Sequence, residues 1–205
     1  MQTSIISGRS RLNVMAAVKT GDAAPAFTLK NQVRSAARRN IHKTCGESGR
    51  CDHVVAGPPP PGSPHPAAAP QAGKAVNVKF GGFGAKPKVL FFFPKTATPG
   101  CTLEAKAFRD QYSQLKKLGA EVFGISGDPV EAQETFCSDL DLPFNLLSDE
   151  GDAVRKLFGV KSDLFGLLPG RETYIIGKDG VVKNVYNNQF KPESHVEEAI
   201  KALSA

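Results

Sequence analysis

A cysteine at the start of a predicted helix is the residue of this chain that is best placed for chemistry. Cys101 follows Thr98, Pro99 and Gly100, and an apolar segment at 89–93 lies just before them. The N–H groups and dipole of a helix amino terminus stabilise an anion, and the thiolate is the nucleophilic form of cysteine. The Thr98 hydroxyl can donate a hydrogen bond to that sulfur or bond a substrate oxygen. A lone cysteine is usually a buried packing residue, but this strand-to-helix junction favours a reactive thiol.

An arginine in a distant segment is the second candidate. Arg171 lies in LLPGRETYIIG (167–177), immediately before a predicted buried strand. A guanidinium beside a thiolate would stabilise the negative charge and polarise a substrate oxygen. An exposed arginine at a strand edge is the alternative, and the spacing alone leaves both interpretations open.

The other cysteines indicate neither a secreted scaffold nor a metal site. The chain has four cysteines in 205 residues, without a Cys-x-x-Cys pair, so a thioredoxin-type redox motif and a dense disulfide framework are both excluded. Cys45 and Cys51 lie near His42 and His53, which are residue types that zinc accepts. Their spacing matches no common structural zinc site, so we predict no metal.

The elements that must position these residues alternate between strands and helices. Strands are predicted at 76–80, 86–93, 121–126, 144–149 and in a hairpin at 172–187, and helices at 102–118, 128–140, 151–159 and 192–204. In the first helix the predicted apolar face consists of Leu103, Phe108, Tyr112, Leu115 and Leu118. This order predicts an α/β fold with a central mixed sheet flanked by helices.

Two segments do not fit this pattern. Residues 1–16 contain two arginines, several hydroxyl side chains and no acid, which is typical of a transit peptide or of a disordered tail. Residues 33–73 lack a helical or strand period, and seven of the chain's fifteen prolines fall in 58–70, which predicts a disordered insertion. A retained intron covering 33–71 is the explanation that we favour for it. We therefore predict one domain at 17–205 that is interrupted by 33–73.

The charge distribution argues against nucleic-acid binding. The chain has a formal net charge of +6, but residues 74–205 carry seventeen basic and seventeen acidic residues. The basic excess therefore lies outside the well-patterned region, and no basic groove with interleaved aromatic residues is visible. No run of about 18 apolar residues occurs, so we expect no membrane-spanning helix.

Several segments, in the same order, resemble the peroxiredoxin Q branch of the peroxiredoxins, the bacterioferritin comigratory protein group, especially its plant, algal and cyanobacterial members. PKTATPGC is similar to the Pro-x-x-x-Thr-x-x-Cys signature of peroxiredoxins. The other similar segments are GDAAPAFTL, LPFNLLSDEGDAVRKLFGV, DLFGLLPGRETYIIGKDG and YNNQFKPESHVEEAI. The resemblance covers about 17–32 and 74–205, and it implies a thioredoxin-like fold and a thiol peroxidase that uses no cofactor.

The resemblance gives each candidate residue a role. Cys101 would be the peroxidatic cysteine, whose thiolate attacks hydrogen peroxide or an alkyl hydroperoxide and becomes a sulfenic acid. Thr98 and Arg171 would orient the peroxide and stabilise the thiolate, and Pro94 would shield the pocket.

The chain departs from this branch at the position of the common resolving cysteine. That cysteine lies five residues after the peroxidatic one, where this chain has Lys106. Some members place it on the next helix, which makes Cys137 the candidate, although a disulfide would require local unwinding to bring the Cα atoms within about 7 Å. We favour this disulfide, reduced by thioredoxin. The alternatives are packing of Cys137 beside Phe136, and a one-cysteine enzyme served by glutathione, glutaredoxin or thioredoxin.

A function of a different class stays open from the sequence. The chain could be a redox-inactive thioredoxin-fold interaction or holdase protein whose basic, proline-rich loop recruits partners. The combination of Thr98, Cys101 and Arg171 favours the enzyme. The resemblance also implies a monomer and, with residues 1–16, a chloroplast location in the stroma or at the thylakoid, with the cytoplasm as the alternative.

Overall fold

Strands and helices alternate along the chain, as the sequence pattern predicts. The structure is a computed structural model that describes residues 17–32, 75–80, 86–162 and 168–205. Its strands are β1 (Phe27–Gln32), β2 (Ala75–Phe80), β3 (Lys88–Phe92), β4 (Glu121–Ser126), β5 (Asn145–Ser148), β6 (Glu172–Ile176) and β7 (Val182–Asn187). Its helices are α1 (Pro99–Asp110), α2 (Tyr112–Lys117), α3 (Val130–Asp139), α4 (Ala153–Phe158) and α5 (Ser194–Ser204). In the described residues one sheet has the strand order β2-β1-β5-β4-β3-β6-β7.

The apolar segment at 89–93 forms the centre of this sheet. Strand β3 pairs in parallel with β4 and antiparallel with β6, and its residues after Lys88 are all buried. Phe91 stacks on Phe108 of α1 with ring centroids 4.4 Å apart, whereas Phe92 lies 5.3 Å from the ring of Phe158 in α4. Because successive strand residues point to opposite faces, helices cover both faces of the sheet. The predicted mixed sheet flanked by helices is confirmed.

The first predicted helix differs from the structure in two ways. It begins earlier, with Pro99 in its first turn, and it breaks at Gln111 into α1 and α2. Leu103, which we placed on the apolar face, is 54% exposed, while Glu104 is fully buried. The apolar pattern predicted the wrong face for Leu103. The buried position belongs to the acid Glu104, which has a partner elsewhere in the chain.

Strands β1 and β2 form an antiparallel pair in which Phe27 faces Phe80 and Gln32 faces Ala75. The segment between them, which contains the predicted insertion at 33–73, lies outside the described residues, as does the predicted tail at 1–16. The domain boundaries therefore stay predictions. In the part of the chain that the structure describes, no helix is long and apolar enough to cross a membrane.

Candidate active site

The loop between β3 and α1 carries two of the candidate residues, Pro94 and Thr98, and both are half-buried. Asp128 fixes this loop, because its Oδ2 accepts a 2.7 Å hydrogen bond from the backbone N–H of Thr96. The neighbouring Ala97 has a φ of 57°, which is the left-handed conformation. This conformation costs a non-glycine residue about 1–2 kcal/mol relative to the right-handed one. The Thr98 hydroxyl donates to the Lys95 carbonyl at 3.1 Å and makes no cap to the helix.

Cys101 lies in the first turn of α1 and is only 2% exposed. Its sulfur accepts a hydrogen bond from Nη2 of Arg171 at 3.5 Å. Arg171 reaches this place because it directly precedes β6, whose first residue pairs with the last residue of the antiparallel β3. A Cβ at Gly100 would lie 3.2 Å from the same Nη2, so glycine leaves room for the guanidinium. The structure thus brings together Cys101 and Arg171, which lie in two distant segments of the sequence.

Glu104 is a site residue that the sequence analysis missed. Its Oε2 accepts a hydrogen bond from Nη1 of Arg171, so the guanidinium contacts both Glu104 and Cys101. Burial raises the pKa of Glu104 to about 8, although the charge and hydrogen bond of Arg171 partly oppose this. Burial also lowers the pKa of Arg171, but Glu104 and Cys101 outweigh this and raise it overall. An acid one helical turn after a candidate nucleophile was the signal that could have revealed it.

His195 of α5 is a second missed group. It is fully buried, and its Nδ1 lies 3.7 Å from Oε1 of Glu104. Burial lowers the pKa of His195 to about 4, the hydrogen bond to the Asn188 carbonyl opposes this, and the charge of Arg171 lowers it further. The ring is therefore neutral at physiological pH.

Arg155 of α4 connects the two segments of the site. Its Nη2 donates to the Phe93 carbonyl at 2.8 Å, at the end of β3, and its Nη1 donates to the Gly170 carbonyl at 2.6 Å, next to Arg171. The Asp149 carboxylate accepts a 2.8 Å hydrogen bond from the backbone N–H of Arg155. This buried side chain therefore fixes the spacing between the loop of Pro94 and the loop of Arg171.

Cys137 of α3 is buried and lies in the same apolar cluster as Cys101. Both are thiols in this structure. Cys137 is placed so that its sulfur can donate weakly to the Phe144 carbonyl at 3.8 Å, and it lines a pocket of about 20 Å³, room for roughly one water. Cys137 is thus on the sheet face that carries the candidate site, but on a different helix.

Cys45 and Cys51, with their neighbouring histidines, lie outside the described residues. Across 17–32, 75–80, 86–162 and 168–205 no group of three or more histidine, cysteine and acidic side chains could hold a metal ion.

The buried acid and histidine predict a pH dependence of stability. The pKa of Glu104 rises on folding from its ordinary 4.5 to about 8, so between these values the folded chain holds a proton that the unfolded chain has lost. The pKa of His195 falls from 6.5 to about 4, which acts oppositely and offsets part of this effect between pH 6.5 and about 7.5. The free energy of unfolding should therefore fall by about 1 kcal/mol from pH 6.5 to pH 8.

Urea unfolding of the reduced chain at these two pH values measures this loss. The Glu104→Gln variant, which cannot titrate at this position, should show no comparable fall. An equal fall in both proteins would contradict the assignment of the buried proton to Glu104.

A thioredoxin-like mixed sheet that presents a buried thiol at a helix amino terminus, with an arginine donating to its sulfur, defines a thiol-based peroxidase of the peroxiredoxin class. The model of the AhpC/TSA family matches residues 61–185, and the chain belongs to that family.

Two relatives and two solved structures agree with this assignment. The chain is 57% identical over 136 residues to "Peroxiredoxin Q, chloroplastic" of Sedum lineare, covering 66% of this chain and 72% of the relative. It is 56% identical over 134 residues to the protein of that name from Triticum aestivum, covering 65% and 60%. The fold is similar to peroxidoxin BcpB of Mycobacterium tuberculosis (TM-score 0.63, 29% identity, 91% and 97% covered). It is also similar to peroxiredoxin Q of Xanthomonas campestris (TM-score 0.54, 28% identity, 60% and 80% covered).

These comparisons confirm three sequence predictions: the peroxiredoxin Q branch, the thioredoxin-like fold and the class of thiol-dependent peroxidase. They do not favour a redox-inactive interaction protein. The family implies peroxide substrates and thioredoxin-type reductants. The relatives are named chloroplastic, which supports the predicted chloroplast location.

Proposed function

We propose that this chain reduces hydrogen peroxide and alkyl hydroperoxides at Cys101. The observation that carries this proposal is the hydrogen bond from Arg171 to the Cys101 sulfur at 3.5 Å, in a site closed off from bulk solvent. A buried thiolate needs a fixed positive partner, and Arg171 is one. The similar bacterioferritin comigratory protein of Xanthomonas campestris is described as having alkyl peroxide reduction activity, which supports the organic substrates.

In the proposed first step the Cys101 thiolate attacks one peroxide oxygen, and the oxygen–oxygen bond breaks. The sulfur becomes a sulfenic acid, and the second oxygen leaves as hydroxide or alkoxide and takes up a proton. Arg171 stabilises the negative charge on sulfur before attack and on oxygen as the bond breaks. Thr98, whose hydroxyl now contacts the Lys95 carbonyl, turns to the bound peroxide, and half-buried Pro94 shields the pocket from water.

In the proposed second step Cys137 resolves the sulfenic acid. Its sulfur attacks the Cys101 sulfur, a disulfide forms and water leaves. Two of the similar Xanthomonas campestris peroxiredoxin Q structures are serine mutants at cysteine positions 48 and 84 of that protein, a separation of 36 residues. Cys101 and Cys137 are also 36 residues apart, and this equal separation supports the proposed pairing in this chain. Because each is buried on its own helix, part of α1 or α3 must unwind before the sulfurs meet.

A thioredoxin-type dithiol then reduces the disulfide by thiol exchange. The monomeric state that the resemblance implies stays a prediction, which analytical ultracentrifugation of the reduced chain would test.

The Cys137→Ser variant tests the second step. Oxidation of Cys101 in a single turnover should proceed within about twofold of the wild-type rate, whereas thioredoxin-coupled turnover should fall at least about tenfold, because the intramolecular thiol is lost. Cys137→Ala is the matched control for loss of the thiol without a new hydroxyl in the core. Full coupled turnover in both variants would instead establish a one-cysteine enzyme. A wild-type chain that consumes no peroxide would refute the proposed function itself.

A further inference from the structure

The Arg171 guanidinium is shared by two acidic groups. Nη1 contacts Glu104 and Nη2 contacts the Cys101 sulfur, and both groups are buried. If both were ionised, the Arg171 guanidinium would be shared between two anions in a site without bulk water, which is costly even with the charge of Arg155 nearby. The availability of Arg171 to the reacting sulfur therefore depends on whether Glu104 carries a proton.

The ring of His195 faces the other oxygen of Glu104 in a fixed tautomer. Its Nε2 lies 3.0 Å from the Asn188 carbonyl, which can only accept, so the proton of the neutral ring is on Nε2. Nδ1 then carries a lone pair, which accepts a hydrogen bond from the Thr173 hydroxyl at 2.8 Å. The same Nδ1 lies 3.7 Å from Oε1 of Glu104, too far for a hydrogen bond and close enough for electrostatic influence.

The ionised form of Glu104 is consequently poorly stabilised at Oε1, the oxygen that faces His195. Among the described residues Oε1 has no hydrogen-bond donor, and a neutral ring nitrogen occupies the adjacent space. The groups that face Glu104 from the surrounding elements are Arg171 before β6, Arg155 of α4, Cys101 of α1 and His195 of α5. The two arginines favour the carboxylate, while burial and the missing donor at Oε1 favour the acid.

We propose that His195 is a positioning residue of the peroxidatic site, in which its unprotonated Nδ1 keeps Glu104 as the carboxylic acid and so leaves the Arg171 charge to the Cys101 thiolate. This inference rests on the proposed function. It makes the closing helix α5, which carries His195, part of the site. When Glu104 ionises at alkaline pH, its carboxylate competes for Arg171 and repels the thiolate, and the attack on peroxide becomes slower.

Two nearly isosteric variants test the role of Nδ1. His195→Asn places an amide N–H donor close to the position of Nδ1, whereas His195→Leu fills similar space without a donor; both remove the contact to Asn188. Titration of Glu104 is followed by NMR of carboxyl-labelled glutamate, with Glu104→Gln identifying the signal. The wild-type midpoint should be about 8. His195→Asn should lower it by about one pH unit or more, because a donor to the charged form favours that form.

The reaction rate supplies the second readout. In His195→Asn the alkaline decline in the Cys101 oxidation rate should move with the Glu104 midpoint, which corresponds to a rate about fivefold below wild type near pH 8. His195→Leu removes the Nδ1 lone pair without adding a donor, so it should lower both midpoints, but by less than His195→Asn. Tyr186→Phe is the control for the surroundings of the His195 ring, because the two ring centroids are 4.9 Å apart. This variant should shift neither midpoint.

An unchanged midpoint in either variant, or equal shifts in the two, would overturn the proposal. A wild-type Glu104 that titrates near 4.5 would overturn it without any variant. The NMR titration does not depend on activity, so a chain that fails to react with peroxide would refute the proposed function separately.

Discussion

The Cys101→Ser variant is expected to consume no peroxide above the uncatalysed rate. A serine hydroxyl is not ionised near neutral pH, so the hydrogen bond from Arg171 at 3.5 Å would face a poor nucleophile. Loss of the nucleophile should lower the rate by roughly 10⁴-fold or more. The measurement is consumption of hydrogen peroxide by the reduced variant with thioredoxin present.

Cys137→Ser is the internal control for this experiment. It replaces a thiol of similar burial by the same residue, so a general effect of a buried hydroxyl would appear in both variants. With Cys101 as the nucleophile, the first oxidation step survives in Cys137→Ser and disappears in Cys101→Ser. The reverse pattern would exchange the roles of the two cysteines.

Replacement of Arg171 by methionine should have the second largest effect. Methionine keeps much of the length of the side chain but removes the donor to the sulfur and the positive charge, so the thiolate and the breaking oxygen–oxygen bond both lose their partner. The rate of Cys101 oxidation at neutral pH should fall by about 10²–10³-fold, the usual effect of removing one preorganised donor. Quenched-flow sampling followed by mass spectrometry of sulfenic acid at Cys101 measures this rate.

Arg109→Met is the matched control. Arg109 lies on α1, the helix that carries Cys101, but it donates to the Leu140 carbonyl and not to a group of the site. Its rate should equal the wild-type rate. Glu104→Gln combined with Arg171→Met removes the acid that would otherwise lose its partner, which keeps the test valid if the single variant is unstable. A folded Arg171→Met protein with an unchanged rate would contradict the role of Arg171.

The strands could be predicted because buried strands are apolar or alternate between apolar and polar residues, and both patterns are visible in the sequence. The segment at 89–93 is apolar throughout, and it is the central strand with both faces covered. The position of the candidate nucleophile could also be predicted, since Cys101 lies in the first turn of α1 after a short loop from β3. The approach of Arg171 to Cys101 follows from the antiparallel pairing of β3 and β6, which spacing along the chain does not reveal.

Glu104, His195 and Arg155 could not be predicted as site residues, for a physical reason. Apolar periodicity assumes that buried positions are apolar, but in α1 the buried position belongs to Glu104 and the apolar Leu103 is exposed. Glu104 is tolerated there because Arg171, 67 residues away, pairs with it. His195 and Arg155 are likewise recognised only when distant elements meet.

The most direct test of the central claim is the oxidation state of each cysteine after one equivalent of peroxide. The fully reduced chain is treated with hydrogen peroxide, quenched with an alkylating reagent, digested and mapped by non-reducing mass spectrometry. We expect peroxide to oxidise Cys101 and to produce a disulfide between Cys101 and Cys137, with sulfenic acid retained at Cys101 in the Cys137→Ser variant. A Cys101 that stays a thiol while peroxide is present would contradict its assignment as the peroxidatic residue.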